Sequence, residues 1–246
     1  MNPHLNRNAL AALSVLSLAA VLTACGGSDT DKDTDSNSKP EEVTASPTVT
    51  PMKRLAQLMV TKADLGGDYD VKESSLDGEF VFAKSQDEVT LSEPLCAPLA
   101  YAMNQLPLAD PQAFLTDTAS KNVLTDGSNY ITLAAYEGGK AESAMTGLSE
   151  AVKSCGGGFS AKANDNTSAY ESVAAEDTAM AGDESLGFKA TMSYNGVTHT
   201  LHGAAVRSDD VVAVYFSVNG AAIADSKPSD AKIPRAILTA QNAKLG

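Results

Sequence analysis

Three kinds of side chain in this sequence could do chemistry: thiols, imidazoles and clustered carboxylates. Cys25 follows Leu22-Thr23-Ala24 and precedes Gly26-Gly27-Ser28. A thiol at the end of an apolar run, framed by small residues, is placed for thioether formation and leaves room for a peptidase on its N-terminal side. Cys96 and Cys155 are the other two cysteines. In an oxidising compartment they read as a disulfide, the alternative being two buried free thiols. Neither has a second Cys or His at zinc-ligand spacing. His199 and His202 are three apart, which on a strand puts them on opposite faces, so no shared metal is expected. Asp31, Asp33, Asp35 and Glu42 fall at ligand positions of an EF-hand-type loop, but Ser36 stands where that loop needs glycine and Pro40 interrupts it. A solvated acidic segment is the better reading. Asp183-Glu184 and Asp209-Asp210 read as turn or edge carboxylates. Gly156-Gly157-Gly158 follows a helix end instead of opening a helix, so it reads as a stop and not a phosphate cradle. G-x-S-x-G, P-loop and H-E-x-x-H patterns do not occur. No catalytic residue, metal or cofactor is therefore assigned, and the chain reads as non-enzymatic.

The thiol at position 25 has the context that lipidation needs. Residues 1–8 are polar with one strong base, Arg7, and residues 9–21 are an unbroken run of Ala, Leu, Val and Ser. That run has signal-peptide length and is too short to span a bilayer comfortably. Leu22-Thr23-Ala24-Cys25 then matches a bacterial lipobox. The expected product is a chain cleaved before Cys25, carrying a diacylglyceryl group and a palmitate-type acyl chain. One acyl chain holds only weakly and two hold stably, each buried methylene contributing about 0.8 kcal/mol. The expected location is the outer face of the cytoplasmic membrane, with the membrane itself as the first partner.

Without residues 1–24 the formal charge moves from −13 to −14, since Arg7 is their only strong base. Such a surface repels nucleic acid, and no nucleic-acid partner is expected. Residues 25–51 are rich in Ser, Thr, Asp, Gly and Pro with no apolar period, which predicts a disordered acidic tether of roughly 25–30 Å typical span. Residues 52–246 are expected to form a single α+β domain with an aliphatic core, there being no tryptophan and few aromatics.

The elements of that domain follow from periodicity. Leu55, Leu58 and Met59 share a helical face, and Thr61 with Asp64 resembles a capping box. Short strands are expected at 69–72 and 80–83 around Asp77-Gly78. A helix over 95–106 starts after Pro94 and ends before Pro107. A strand is expected within 113–124, and 129–136 alternates clearly. Ala141, Ala144, Met145, Leu148, Ala151, Val152 and Cys155 make one continuous helical stripe. Strands near 168–175, 184–194, 197–207 and 211–218 form a meander, with Asn195-Gly196 as a hairpin turn. Pro234 opens a final helix carrying Ile233, Ile237 and Ala240 on one face. Helices among hairpin-linked strands predict a mainly antiparallel sheet with helices packed on one face and one disulfide. Tyr130, Tyr136 and Tyr215 alternate away from the aliphatic positions and are expected to line an open ligand or partner surface.

The segments Thr61-Lys62-Ala63-Asp64-Leu65-Gly66 and Leu95-Cys96-Ala97-Pro98-Leu99, Cys155 after its amphipathic helix, and the strands between Val206 and Val218 together resemble exported actinobacterial lipoproteins. They are also similar to the extracellular sensor domain of mycobacterial serine/threonine kinases. The resemblance spans about 52–245. It implies an α+β domain with a cleft for an unknown ligand. Relatives often carry two disulfides, whereas this domain has cysteines for one. The functional expectation is a membrane-anchored, exported, ligand-binding or sensor-like protein. An envelope scaffold that binds other proteins is the alternative, and an envelope hydrolase a third. Intact-mass spectrometry of native material is expected to show a chain beginning at diacylglycerylated Cys25, and Cys25→Ala to release the protein from membranes.

Overall fold

The computed structural model describes residues 49–75 and 82–246. The leader, Cys25, the tether and the Asp77-Gly78 turn lie outside the described residues.

The helices are α1 (Pro51–Leu58), α2 (Lys62–Leu65), α3 (Ala97–Ala102), α4 (Lys140–Ser154), α5 (Gly220–Ala224) and α6 (Arg235–Leu245). The strands are β1 (Asp70–Glu73), β2 (Thr90–Leu91), β3 (Ala113–Ser120), β4 (Ser128–Ala135), β5 (Phe159–Ala163), β6 (Asn166–Glu176), β7 (Glu184–Tyr194), β8 (Val197–Ser208), β9 (Val211–Val218) and β10 (Ser229–Ala231). They form one sheet in the order β1-β3-β4-β9-β8-β7-β6-β5-β2, all antiparallel, with β10 added parallel to β8. The α+β class, the antiparallel sheet and the disulfide are those expected from sequence.

Local chemistry explains the principal boundaries. The carboxylate of Asp64 accepts from both the N–H and the hydroxyl of Thr61, each at 2.7 Å, so aspartate replaces glutamate in the capping box. Those bonds, the hydroxyl's first, hold Asp64 down at about 2. Asn195 and Gly196 both take positive φ, 50° and 75°, as a type I′ hairpin requires, and β7 pairs with β8 over its full length. The helix expected over 95–106 is shorter. A 3-10 turn, Pro94–Cys96, leads into α3, which ends at Ala102 well ahead of Pro107.

The sheet differs from expectation in having helices on both faces. Along β9, Val212, Val214 and Phe216 enter a core with α3 and α4, while Val211, Ala213 and Tyr215 enter a second core with α1 and α6. The physical reason is the sequence of β9 itself. VVAVYF has no polar residue, and a strand without polar alternation is buried on both sides.

On the α3/α4 face, Cys96 and Cys155 are bridged with a Cα–Cα distance of 6.0 Å. The bond joins the start of α3 to the end of α4, and both cysteines are buried. On the other face, α6 is fixed by polar contacts. Buried Gln241 accepts from the N–H of Val60 at 2.8 Å and donates to the carbonyl of Leu58 at 2.9 Å, which ties α6 to the end of α1. The hydroxyl of Tyr215 donates to Asn242 at 2.6 Å.

The disulfide closes a loop of 59 residues. In the chain-entropy picture, its replacement by paired alanines is expected to cost about 4 kcal/mol. Urea unfolding of the oxidised protein and of Cys96→Ala/Cys155→Ala should show that difference, and equal midpoints would contradict it.

Candidate functional site

Strand β8 carries both histidines of the domain. Leu201 and Ala205 face α3 and α4, whereas Ala204 and Val206 face α1 and α6. Alternation places His202 with the second set and His199 with the first. The register neighbours of His202 are Lys189 on β7 and Ser217 on β9. Pairing with β9 begins at His202, and over His199–Leu201 that side of β8 is taken by β10. His202 therefore marks the point where the strand changes partner.

The imidazole of His202 is almost fully enclosed, at 5% exposure. Its Nδ1 lies 2.6 Å from Oε2 of Glu176, at the end of β6, and its Nε2 lies 2.5 Å from Oδ1 of Asp230, on β10. An ionised carboxylate only accepts, so two such partners require both ring nitrogens to donate. The ring is held between two acids, one at each nitrogen. The bond from His202 holds the Asp230 carboxyl below the usual carboxylate range; the charges of His202, Lys232 and Lys189 add to this, and burial opposes it. His199, fully buried, has its Nδ1 3.0 Å from the hydroxyl of Ser229. Each histidine thus bonds to one side chain of β10.

A cleft of about 360 Å³ opens beside His202. Its floor is the register pair Gly187 and Ala204, which leaves the sheet backbone without bulk. Gly187 is required there: a Cβ would sit 2.4 Å from the carbonyl oxygen of Glu176. Thr178, Ile233 and Leu238 also line it, and the exposed Asp177, Lys232 and Arg235 lie at its rim. A larger hollow of about 510 Å³ lies between the start of α1 and residues 110–114, but no buried titratable group lines it.

The tyrosines named from sequence do not form one surface, and that expectation is corrected. Tyr136 and Tyr215 are buried, while Tyr130 is half-buried and stacked on Phe216 with ring centroids 6.2 Å apart. Tyr130 and Tyr136 serve the α3/α4 core, and Tyr215 the opposite one. Burial pushes the phenol of Tyr136 up to about 12 and raises that of Tyr215 as well. The cause is that each face of the sheet carries a helical layer, so neither is open. The turn carboxylates have structural partners: Asp183 binds Arg207 at 2.8 Å and Asp210 binds Arg54 at 2.6 Å. Among the described residues no cluster of three or more His, Cys, Asp or Glu is arranged to hold a metal.

Sequence reasoning missed Glu176, Asp230, Lys232 and Arg235. Glu176 and Asp230 stand 26 and 28 residues from His202, and no motif connects them. The available signal was His202 itself, a polar residue at a core-facing position of a buried strand, which requires buried partners.

No family model and no curated protein matches this chain. Among solved structures, it is similar to the extracellular domain of PknH from Mycobacterium tuberculosis. The TM-score is 0.53 at 15% identity, covering 80% of this chain and 95% of that one. The two share a fold. No helix among the described residues is long and apolar enough to cross a membrane.

His202→Asn removes at least one of the two bonds that link the ring to the carboxylates. Both acids retain some access to water, at 30% and 61% exposure, so a loss of about 1–3 kcal/mol is expected in chemical denaturation near neutral pH. The lowered Asp230 carboxyl contributes stability that is present above its unfolded value of 3.8 and lost as pH falls through its folded value. Asp230→Asn should therefore flatten the acid limb of the stability–pH profile, and an unchanged limb would contradict the assignment.

Proposed function

We propose that this chain is an exported, lipid-anchored binding protein whose domain takes a small ligand in the cleft beside His202. Lipid on Cys25 holds it to the outer face of the cytoplasmic membrane, and residues 25–51 act as its tether. The observation that carries the reading is the construction of the cleft. A buried imidazole is held from β6 and β10, beside a hollow that small residues keep open. Burying a charge is costly unless it is paired, and proteins concentrate such arrangements at working sites.

The chemistry favours binding over catalysis. Both ring nitrogens of His202 are occupied, so neither is free to accept a proton from a substrate. The likeness in fold to an extracellular kinase domain supports a sensor-like role outside the cytoplasmic membrane. The lipobox reading supports the same side of the membrane.

A thermal-shift screen of envelope metabolites on the leaderless chain tests this. A ligand at a hundred times its Kd stabilises by about 2.7 kcal/mol. For a domain of this size that is roughly a 5–10 °C rise in Tm. Thr178→Trp, which fills the cleft from its wall, is expected to abolish the rise while folding normally. Compounds that stabilise the variant as strongly as the parent would place binding elsewhere.

A further inference from the structure

Resting on that reading of the cleft, we infer that its ligand is a small organic anion, a carboxylate or phosphate on an apolar body. The carboxylates nearest the imidazole are already engaged. Glu176 and Asp230 each bond a nitrogen of His202, so each already has a side-chain partner. The rim cations are not engaged. Lys232 and Arg235 line the cleft and form no ion pair among the described residues, although Lys232 acts through space on Asp230. Only Asp177 remains among the lining acids without such a partner. The two cations thus stand without an ion-pair partner among the described residues, on a chain whose formal charge is −13. Unpaired cations beside low-dielectric walls attract anions.

The rest of the cleft specifies what the anion is attached to. Gly187 and Ala204 offer a flat floor, and Ile233 and Leu238 an apolar wall. With the anionic group at Lys232 and Arg235, an alkyl or ring body lies along that floor, burying apolar surface worth about 25 cal/mol per Å². A cation would meet Lys232 and Arg235 at the entrance and find only Asp177 among the lining carboxylates without a partner.

Four probes of equal chain length test the inference on the leaderless protein: hexanoate, hexyl phosphate, hexanol and hexylammonium. Amide chemical shifts of Gly187 and Ala204 report occupancy. Hexanoate or hexyl phosphate is expected to move both amides, and to bind at least tenfold more tightly than hexanol or hexylammonium. Their relative affinity separates a carboxylate from a phosphate ligand. Lys232→Gln/Arg235→Gln should weaken the anion at least tenfold. Lys72→Gln/Lys227→Gln, the same charge change at exposed lysines outside the cleft, should leave it within twofold. If hexanol or hexylammonium moves these amides as well as the anions do, the anionic class is wrong while the cleft stands as a site. Equal anion binding by the two double variants leads to the same conclusion. If none of the four moves either amide, the inference and the cleft reading both fall.

Discussion

Two-sided burial of the central strands is the constraint from which the rest of this domain follows. The segment VVAVYF of β9 and the segment LHGAAV of β8 have buried residues on both faces. A strand in that state needs a helical layer above and another below, since apolar surface left on either face would contact water. α3 and α4 supply one layer, stapled at the Cys96–Cys155 bond, and α1 and α6 the other, tied through Gln241. The chain keeps α6 against the sheet with side-chain bonds because its own apolar stripe is short, Ile237 being its one fully buried aliphatic.

The site is a consequence of the same constraint. His202 is buried, so its polar ring must satisfy both nitrogens with protein groups. Glu176 and Asp230 do so from opposite sides. The arrangement forces β6, β8 and β10 to meet at one point. There β8 exchanges β9 for β10, and the chain after β10 turns into α6, bringing Lys232 and Arg235 to the rim. With Glu176 and Asp230 bonded to His202, Lys232 and Arg235 are left without an ion pair among the described residues.

Much of the domain was legible in its sequence. The stripe from Ala141 to Val152 and the Asn195-Gly196 turn produced α4 and the β7–β8 hairpin where periodicity put them, and the Thr61–Asp64 cap formed as read. Helix α3 was overestimated because the residues that follow it, Met103 and Leu106, are apolar at helical spacing yet are buried outside the helix. β5 and β10 were not foreseen. β5 runs FSAKA, with small residues at its apolar positions, and β10 is three residues of no strand propensity held by pairing to β8. The unbroken apolar run of β9 pointed to burial on both sides, and reading it as a one-sided strand is what misplaced the tyrosines.

The division between what sequence and tertiary structure decide is one of range. Signals carried within about a dozen residues were set by the chain alone: helix caps, hairpin turns and strand alternation. The pairing of two lone domain cysteines also followed, because two thiols allow only one bridge within the domain. The identity of the site could not. Its acids approach His202 from 26 residues before and 28 after, through a sheet order that no local pattern encodes. That both faces of β8 are enclosed, and which charges remain unpaired at the rim, depends on how two layers of helices close over one sheet. Those are properties of contacts between distant segments, and only the folded chain brings them into existence.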